Sequence, residues 1–244
     1  MVELPLTPIT TVLPAPPSLT EESLTICSDG LALEARLLYP DEAAGLAGRV
    51  LLCPPHPFLG GDMDNNVIAS LAPALAEAGF AVLRFNYRGI GASESARDLA
   101  QDQQAFWEHS TCPRYEAEIT RDCVAAFEAL PPLTPATIPP VVIGYSFGAL
   151  PALAIAQQHP LTALGLISPP LARWELNPSQ LVLDFPRVLV YSPEDFACPA
   201  SRMTELHHAA GAGCTLHEMK DADHFFIGFE PALARVLVEF LGAL

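Results

Sequence analysis

The run Gly144-Tyr145-Ser146-Phe147-Gly148 follows the pattern G-x-S-x-G. An apolar stretch, Val141–Tyr145, leads into it, and an alanine- and leucine-rich stretch, Leu150–Gln158, follows. A serine hydroxyl is a weak nucleophile until a base takes its proton, and the base works best when a third group orients it. The pattern suits such a serine. A strand turning abruptly into a helix leaves one residue at the apex in a strained backbone conformation. Side chains two positions to either side would collide with neighbouring backbone, so glycine is needed at both. The first turn of the helix favours negative charge, and the amide of Phe147 points at the apex, which makes it a candidate oxyanion donor. The competing reading is a small polar residue packed between two glycines. The remaining catalytic groups decide between them.

The histidines after Ser146 are His159, His207, His208, His217 and His224. His159 precedes Pro160 at the far end of the helix that starts at the apex. His207 and His208 fall inside a helical pattern, and His217 lies within a strand. His224, in "KDADHFF", follows the last strand at its carboxyl end. For the acid, "SPEDFACP" follows the strand Arg187–Tyr191, and both Glu194 and Asp195 stand at its carboxyl end. Asp195, one residue deeper in the loop, is preferred, with Glu194 next. A second oxyanion donor should come from "PPHPFLGG" at 54–61. Pro54, Pro55 and Pro57 carry no amide hydrogen, and Phe58 is the first donor past the histidine. His56 reads as a loop brace or a substrate contact.

These residues need a scaffold, and strand-length apolar runs alternate with helical patterns to supply one. Ser23–Ser28 and Leu31–Tyr39 flank the hairpin signal Asp29-Gly30. Short buried strands follow at Arg49–Cys53, Phe80–Asn86, Val141–Tyr145, Ala163–Ile167, Arg187–Tyr191 and Cys214–Met219. Helical patterns cover Asn65–Ala78, Tyr115–Leu130, Leu150–Gln158, Pro199–Ala210 and Pro231–Leu241. Parallel strands covered on both faces read as continuous apolar runs. The expectation is a single three-layer α/β/α domain over 23–244, with a mostly parallel eight-stranded sheet. Residues 1–22 hold five prolines and read as an N-terminal arm. Ligands in such folds sit at the carboxyl ends of the strands. Arg88 and Asn86, at one such end, read as loop braces before substrate contacts.

At this point the chain resembles the alpha/beta-hydrolase superfamily, in particular a small bacterial branch related to dienelactone-hydrolase-like esterases. "PPHPFLGGDMDNNV" (54–67), "FNYRGIGAS" (85–93), "GYSFGA" (144–149) and "DADHFF" (221–226) carry the resemblance, with Asp195 and Cys198-Pro199 matching a D-x-x-V-P segment. The resemblance implies Ser146 as nucleophile, His224 as base and Asp195 as acid. It also aligns Phe58 with the oxyanion residue of related H-G-x loops. The chain departs from the pattern in three places. Pro54 replaces the first histidine of H-P-H-P, Ser93-Glu94-Ser95 ends the arginine segment, and the connection 96–115 is long.

Two segments, 92–114 and 169–186, should overhang the carboxyl edge. The second is too short for a multi-helix cap, so the lid is minimal. Trp107, Trp174, Phe58, Phe196 and Phe225 could together line an apolar pocket. The expected activity is serine esterase chemistry on small to medium acyl or aryl esters. A thioesterase, carbon–carbon hydrolase, acyl transferase or cyclase using the same residues is the alternative, and a non-catalytic binding protein is the reading from another class. A formal charge of −16 disfavours nucleic acid and anionic membrane surfaces as partners. The expected partner is therefore a small ester or thioester, and a homodimer is compatible with the composition. No metal cluster or nucleotide motif is visible, so no cofactor is expected. Six cysteines without a C-x-x-C pair fit free thiols in a reducing cytoplasm. The N-terminus lacks a secretory pattern.

Overall fold

The structure is a computed structural model that describes residues 17–41 and 45–244. Most of the expected proline-rich arm, 1–16, therefore lies outside the described residues. Eight strands form one sheet: β1 (Leu19–Ser28), β2 (Leu31–Pro40), β3 (Gly48–Cys53), β4 (Phe80–Phe85), β5 (Val141–Tyr145), β6 (Ala163–Ile167), β7 (Arg187–Tyr191) and β8 (Cys214–Glu218). Their spatial order is β1-β2-β4-β3-β5-β6-β7-β8. The hairpin β1–β2 joins β4 antiparallel, and every pairing from β4 onward is parallel. The architecture matches the expected three layers. β1 begins four residues before the expected Ser23, because Leu19–Glu22 continue the ladder opposite Leu37–Pro40.

Helices α1 (Asn66–Glu77), α2 (Ala100–His109), α3 (Pro113–Glu128), α4 (Ala149–Gln158), α5 (Ala200–Ala210) and α6 (Glu230–Gly242) complete the fold. The central strands are buried at every position but Arg49, which is why they are apolar except for Arg49 and Arg187 near their starts. One core, with α1 and α6, covers one face of the sheet. A second, with α3, α4 and α5, covers the other. Local signals set the helix ends. The Asn65 side chain accepts from the Val67 amide at the start of α1, and Pro113 occupies the first turn of α3, two residues before the expected start. Among the described residues, no helix is long and apolar enough to cross a membrane. All six cysteines are free, and all but Cys27 are buried.

The helix α2 was not expected. It lies in the overhanging segment 92–114 and buries only Phe106, so it shows no apolar period. Polar contacts hold it instead. Asp98 caps the Ala100 amide, and Arg97 bridges Asp102 and Glu118.

Beneath this segment sits a buried charge pair. Asp122 of α3 is fully buried and accepts from the Arg88 guanidinium at 2.6 Å, the Arg88 amide at 3.0 Å and the Ser28 hydroxyl at 2.7 Å. Arg88 also pairs with Asp29. Asn86 ties the Met63 amide to Glu34. Both residues are thus braces, the first of the two readings their position allowed. Removing one partner leaves the other charge buried and unpaired, which costs about 3–5 kcal/mol. Asp122→Ala is therefore expected to lower unfolding stability by that amount, read as a lower urea midpoint at constant slope.

Candidate active site

Ser146 stands where β5 ends and a turn of 3-10 helix, Ser146–Gly148, leads into α4. Its φ is +52°, the left-handed region that side chains avoid. The strain is imposed by packing on both sides. A Cβ at Gly144 would lie 2.3 Å from the Gly148 carbonyl oxygen, and one at Gly148 would lie 2.2 Å from that of Cys53. The loop after β3 therefore presses directly on the apex. Among the described residues the Phe147 amide donates to no acceptor, as expected at a helix N-terminus.

The loops after β7 and β8 bring the other two groups to this apex. Ser146 Oγ is 3.0 Å from His224 Nε2. His224 Nδ1 is 2.8 and 2.9 Å from the two carboxylate oxygens of Asp195. All three residues are buried. Asp195 Oδ1 also accepts from the amides of Ala197 and Cys198. Glu194, the other acid the sequence allowed, is exposed to solvent. The His224 loop is held by its own backbone carbonyl, which accepts from Tyr145 Oη at 2.7 Å, and by Asp223, which caps the amides of Phe225 and Phe226. With Nδ1–H directed to Asp195, the Nε2 lone pair faces the serine hydroxyl. That arrangement can take the hydroxyl proton as a carbon–oxygen bond forms.

The loop 54–61 corrects one expectation. The Phe58 amide does not face the apex but donates to His56 Nδ1 at 3.2 Å, capping a 3-10 turn at Pro57–Leu59. Proline at 57 starts that turn and folds the chain back, so Phe58 turns inward and its ring stacks on Tyr115 at 4.4 Å. Phe58 is therefore neither a free oxyanion donor nor a wall of the cavity. His56 is the one residue of 54–57 with an amide hydrogen, and among the described residues that amide has no acceptor. A rule that reads the first donor after the prolines stops one turn too far. Burial pushes the His56 ring down to a pKa of about 3, so it is neutral. Its Nδ1 accepts, its Nε2 carries the proton, and Nε2 has no partner among the described residues. The ring stacks on Phe106 at 4.4 Å, which is how α2 reaches the site.

Above the apex lies a cavity of about 470 Å³ lined by Ser146, His224 and a predominantly aromatic wall. His56, Trp107, Trp174, Phe196 and Phe225 all line it, as the sequence suggested, joined by Phe106 and Phe147. Phe196 and Trp107 are 71 and 62 % exposed and form its rim. Among the described residues, no group of three or more His, Cys, Asp or Glu side chains is placed to hold a metal.

The family described as alpha/beta hydrolase fold matches residues 51–204. The chain is 29 % identical over 122 residues to "Uncharacterized protein RP471" of Rickettsia prowazekii (strain Madrid E), covering 50 % of this chain and 44 % of that protein. The match thus spans less than half of that protein's length. Among solved structures, the chain is similar to ATU1826 of Agrobacterium tumefaciens, at 23 % identity and a TM-score of 0.74, covering 91 % of this chain and 95 % of the other. It is also similar to XC6422 of Xanthomonas campestris, an a/b serine hydrolase without lid, at 24 % identity and a TM-score of 0.72, covering 98 % and 97 %.

The neutral, buried His56 has a consequence for acid stability. Its folded-state pKa lies below the ordinary 6.5, so the unfolded chain binds the proton first. Its contribution is fully present above about pH 6.5 and is lost as the pH falls toward 3. By pH 4.5 the loss is roughly 3 kcal/mol. His56→Asn, which keeps an acceptor for the Phe58 amide, is expected to flatten the decline of unfolding free energy between pH 6.5 and 4.5. An unchanged slope would show that the ring is hydrated and titrates normally.

Proposed function

The chain belongs to the alpha/beta hydrolase fold family, and from that premise we propose that it is a serine hydrolase. It cleaves esters of small to medium apolar acyl or aryl groups through an acyl-enzyme on Ser146. The observation that carries this reading is the continuous chain of short hydrogen bonds from Ser146 through His224 to Asp195, at the base of an aromatic cavity. A non-catalytic binding role would not require that alignment or the backbone strain at Ser146.

In the proposed cycle, Ser146 Oγ bonds to the ester carbonyl carbon while its proton passes to His224 Nε2. Asp195 holds the imidazole in the required tautomer and stabilises the imidazolium. The carbonyl oxygen becomes an oxyanion held by the amides of Phe147 and His56. Collapse breaks the ester bond, and the leaving alcohol takes the proton from His224. Water then attacks the acyl-enzyme, giving a proton to His224, and the second collapse releases the acid as the proton returns to Ser146. Thioester hydrolysis, carbon–carbon cleavage and acyl transfer would use the same groups, differing in the leaving group or the acceptor.

A fluorophosphonate probe is expected to label the folded protein covalently and to leave Ser146→Ala unlabelled. Turnover of 4-nitrophenyl esters should fall by about 10⁴-fold or more in that variant. A series of acyl chains from acetyl to octanoyl, run as aryl esters and as thioesters, then separates esterase from thioesterase. Folded wild-type protein that takes no label would overturn the proposal.

A further inference from the structure

The lining of the cavity is unlike the rest of the molecule in charge. The chain has 28 acidic and 12 basic residues, yet among the described residues no carboxylate lines the cavity and one fixed charge does, Arg173. Most other arginines pair with carboxylates. Among the described residues Arg173 pairs with none. One of its nitrogens donates to the Ser110 carbonyl at 3.0 Å, and its guanidinium lies 6.0 Å from the centre of the Trp174 ring. Ser110 ends α2 and itself lines the cavity, so the contact joins the two overhanging segments across the mouth. Glu116, hydrogen-bonded to Trp174 Nε1 and the Cys112 amide, is not in the lining.

We propose that Arg173 is a specificity residue: it binds a terminal anionic group, carboxylate or phosphate, on a substrate whose apolar body lies against the aromatic wall. The inference rests on the serine-hydrolase reading and narrows its substrate class to esters or thioesters bearing such a group away from the bond that breaks. Guanidinium presents paired N–H donors that match both anions, and most of those on Arg173 are free. The protein's overall negative charge does not cancel this. At physiological salt, exposed charges more than about 8 Å apart are largely screened, so distant carboxylates weigh little on it.

The chain's two tryptophans, Trp107 and Trp174, both line the cavity and supply a binding signal that needs no turnover. In Ser146→Ala protein, two ligand pairs are titrated by tryptophan fluorescence. Phenyl hydrogen glutarate against its methyl ester tests a carboxylate, and acetyl-4′-phosphopantetheine against acetyl-pantetheine tests phosphate. In at least one pair the anion is expected to bind roughly five- to tenfold more tightly. Adding Arg173→Gln should bring that ratio to about one, while Arg173→Lys should retain part of it. A merely structural strut would weaken both members of a pair alike and leave their ratio unchanged. No preference in either pair, or a preference that survives Arg173→Gln, overturns the proposal. Because these titrations do not depend on catalysis, a failed anion site leaves Ser146 labelling intact, and unlabelled Ser146 leaves the binding ratios readable.

Discussion

The close approach of the β3 loop to Gly148 is the constraint on which the site depends. The carbonyls of Cys53 and Pro54 lie where a side chain at 148 would begin. That single packing contact does three things at once. It fixes the turn that leaves Ser146 at positive φ. It directs the start of α4, with its free Phe147 amide, at the space above the serine. It also lays residues 54–56 beside the same space, so that their backbone can share in it. A strained residue of this kind costs on the order of 1–3 kcal/mol and persists only where its surroundings over-determine it. Here the surroundings are two strands, β3 and β5, buried at every position but Arg49 and paired with Cys53 opposite Gly144.

Hydrogen bonds to loop backbone extend that rigidity outward. Tyr87 Oη donates to the Pro54 carbonyl and Tyr145 Oη to that of His224, each a buried phenol fixing a loop at the strand ends. Tyr115 Oη donates to the Arg88 carbonyl, tying the buried Arg88–Asp122 pair to the aromatic stack over Phe58 and His56. Burial pushes the Tyr87, Tyr115 and Tyr145 phenols well above their ordinary range, so they remain donors at any working pH. The loops that carry Pro54, Arg88 and His224 are thus each held by a neutral phenol donor.

What the sequence made legible follows from the same physics. Strands covered on both faces are mostly apolar, so β3 to β7 were plain in composition despite Arg49, Arg84 and Arg187. Ser146 was marked by its two glycines, and His224 by being the one downstream histidine at a strand's carboxyl end. Position in the loop favoured Asp195 over Glu194, and in the structure Asp195 is buried against His224 Nδ1 while Glu194 is exposed. The helix α2 escaped because its stability comes from Arg97, Asp98 and Glu118 instead of an apolar stripe. Phe58 misled because counting amide donors along a chain ignores the direction in which a proline-led turn points them. The signal that could have corrected it was His56 followed by Pro57: a side-chain acceptor just ahead of a proline at the first position of a turn, which is the pattern of an N-cap.

The exposed rim completes the physical picture. Leu59, Trp107, Phe196 and Phe225 are all more than a third exposed and all line the cavity. Leaving large apolar side chains in water forgoes the stabilisation that burial would bring, and contiguous patches of them invite association. A formal net charge of −16 opposes that association at long range, while among the described residues no carboxylate lines the mouth itself. Solubility and an open apolar entrance are therefore reconciled by separating them in space. Among the described residues no carboxylate lines the cavity, and the aromatic rim with one arginine stands above the serine. The walls of the cavity come from α2 and the 169–186 loop together with the loops after β3, β7 and β8.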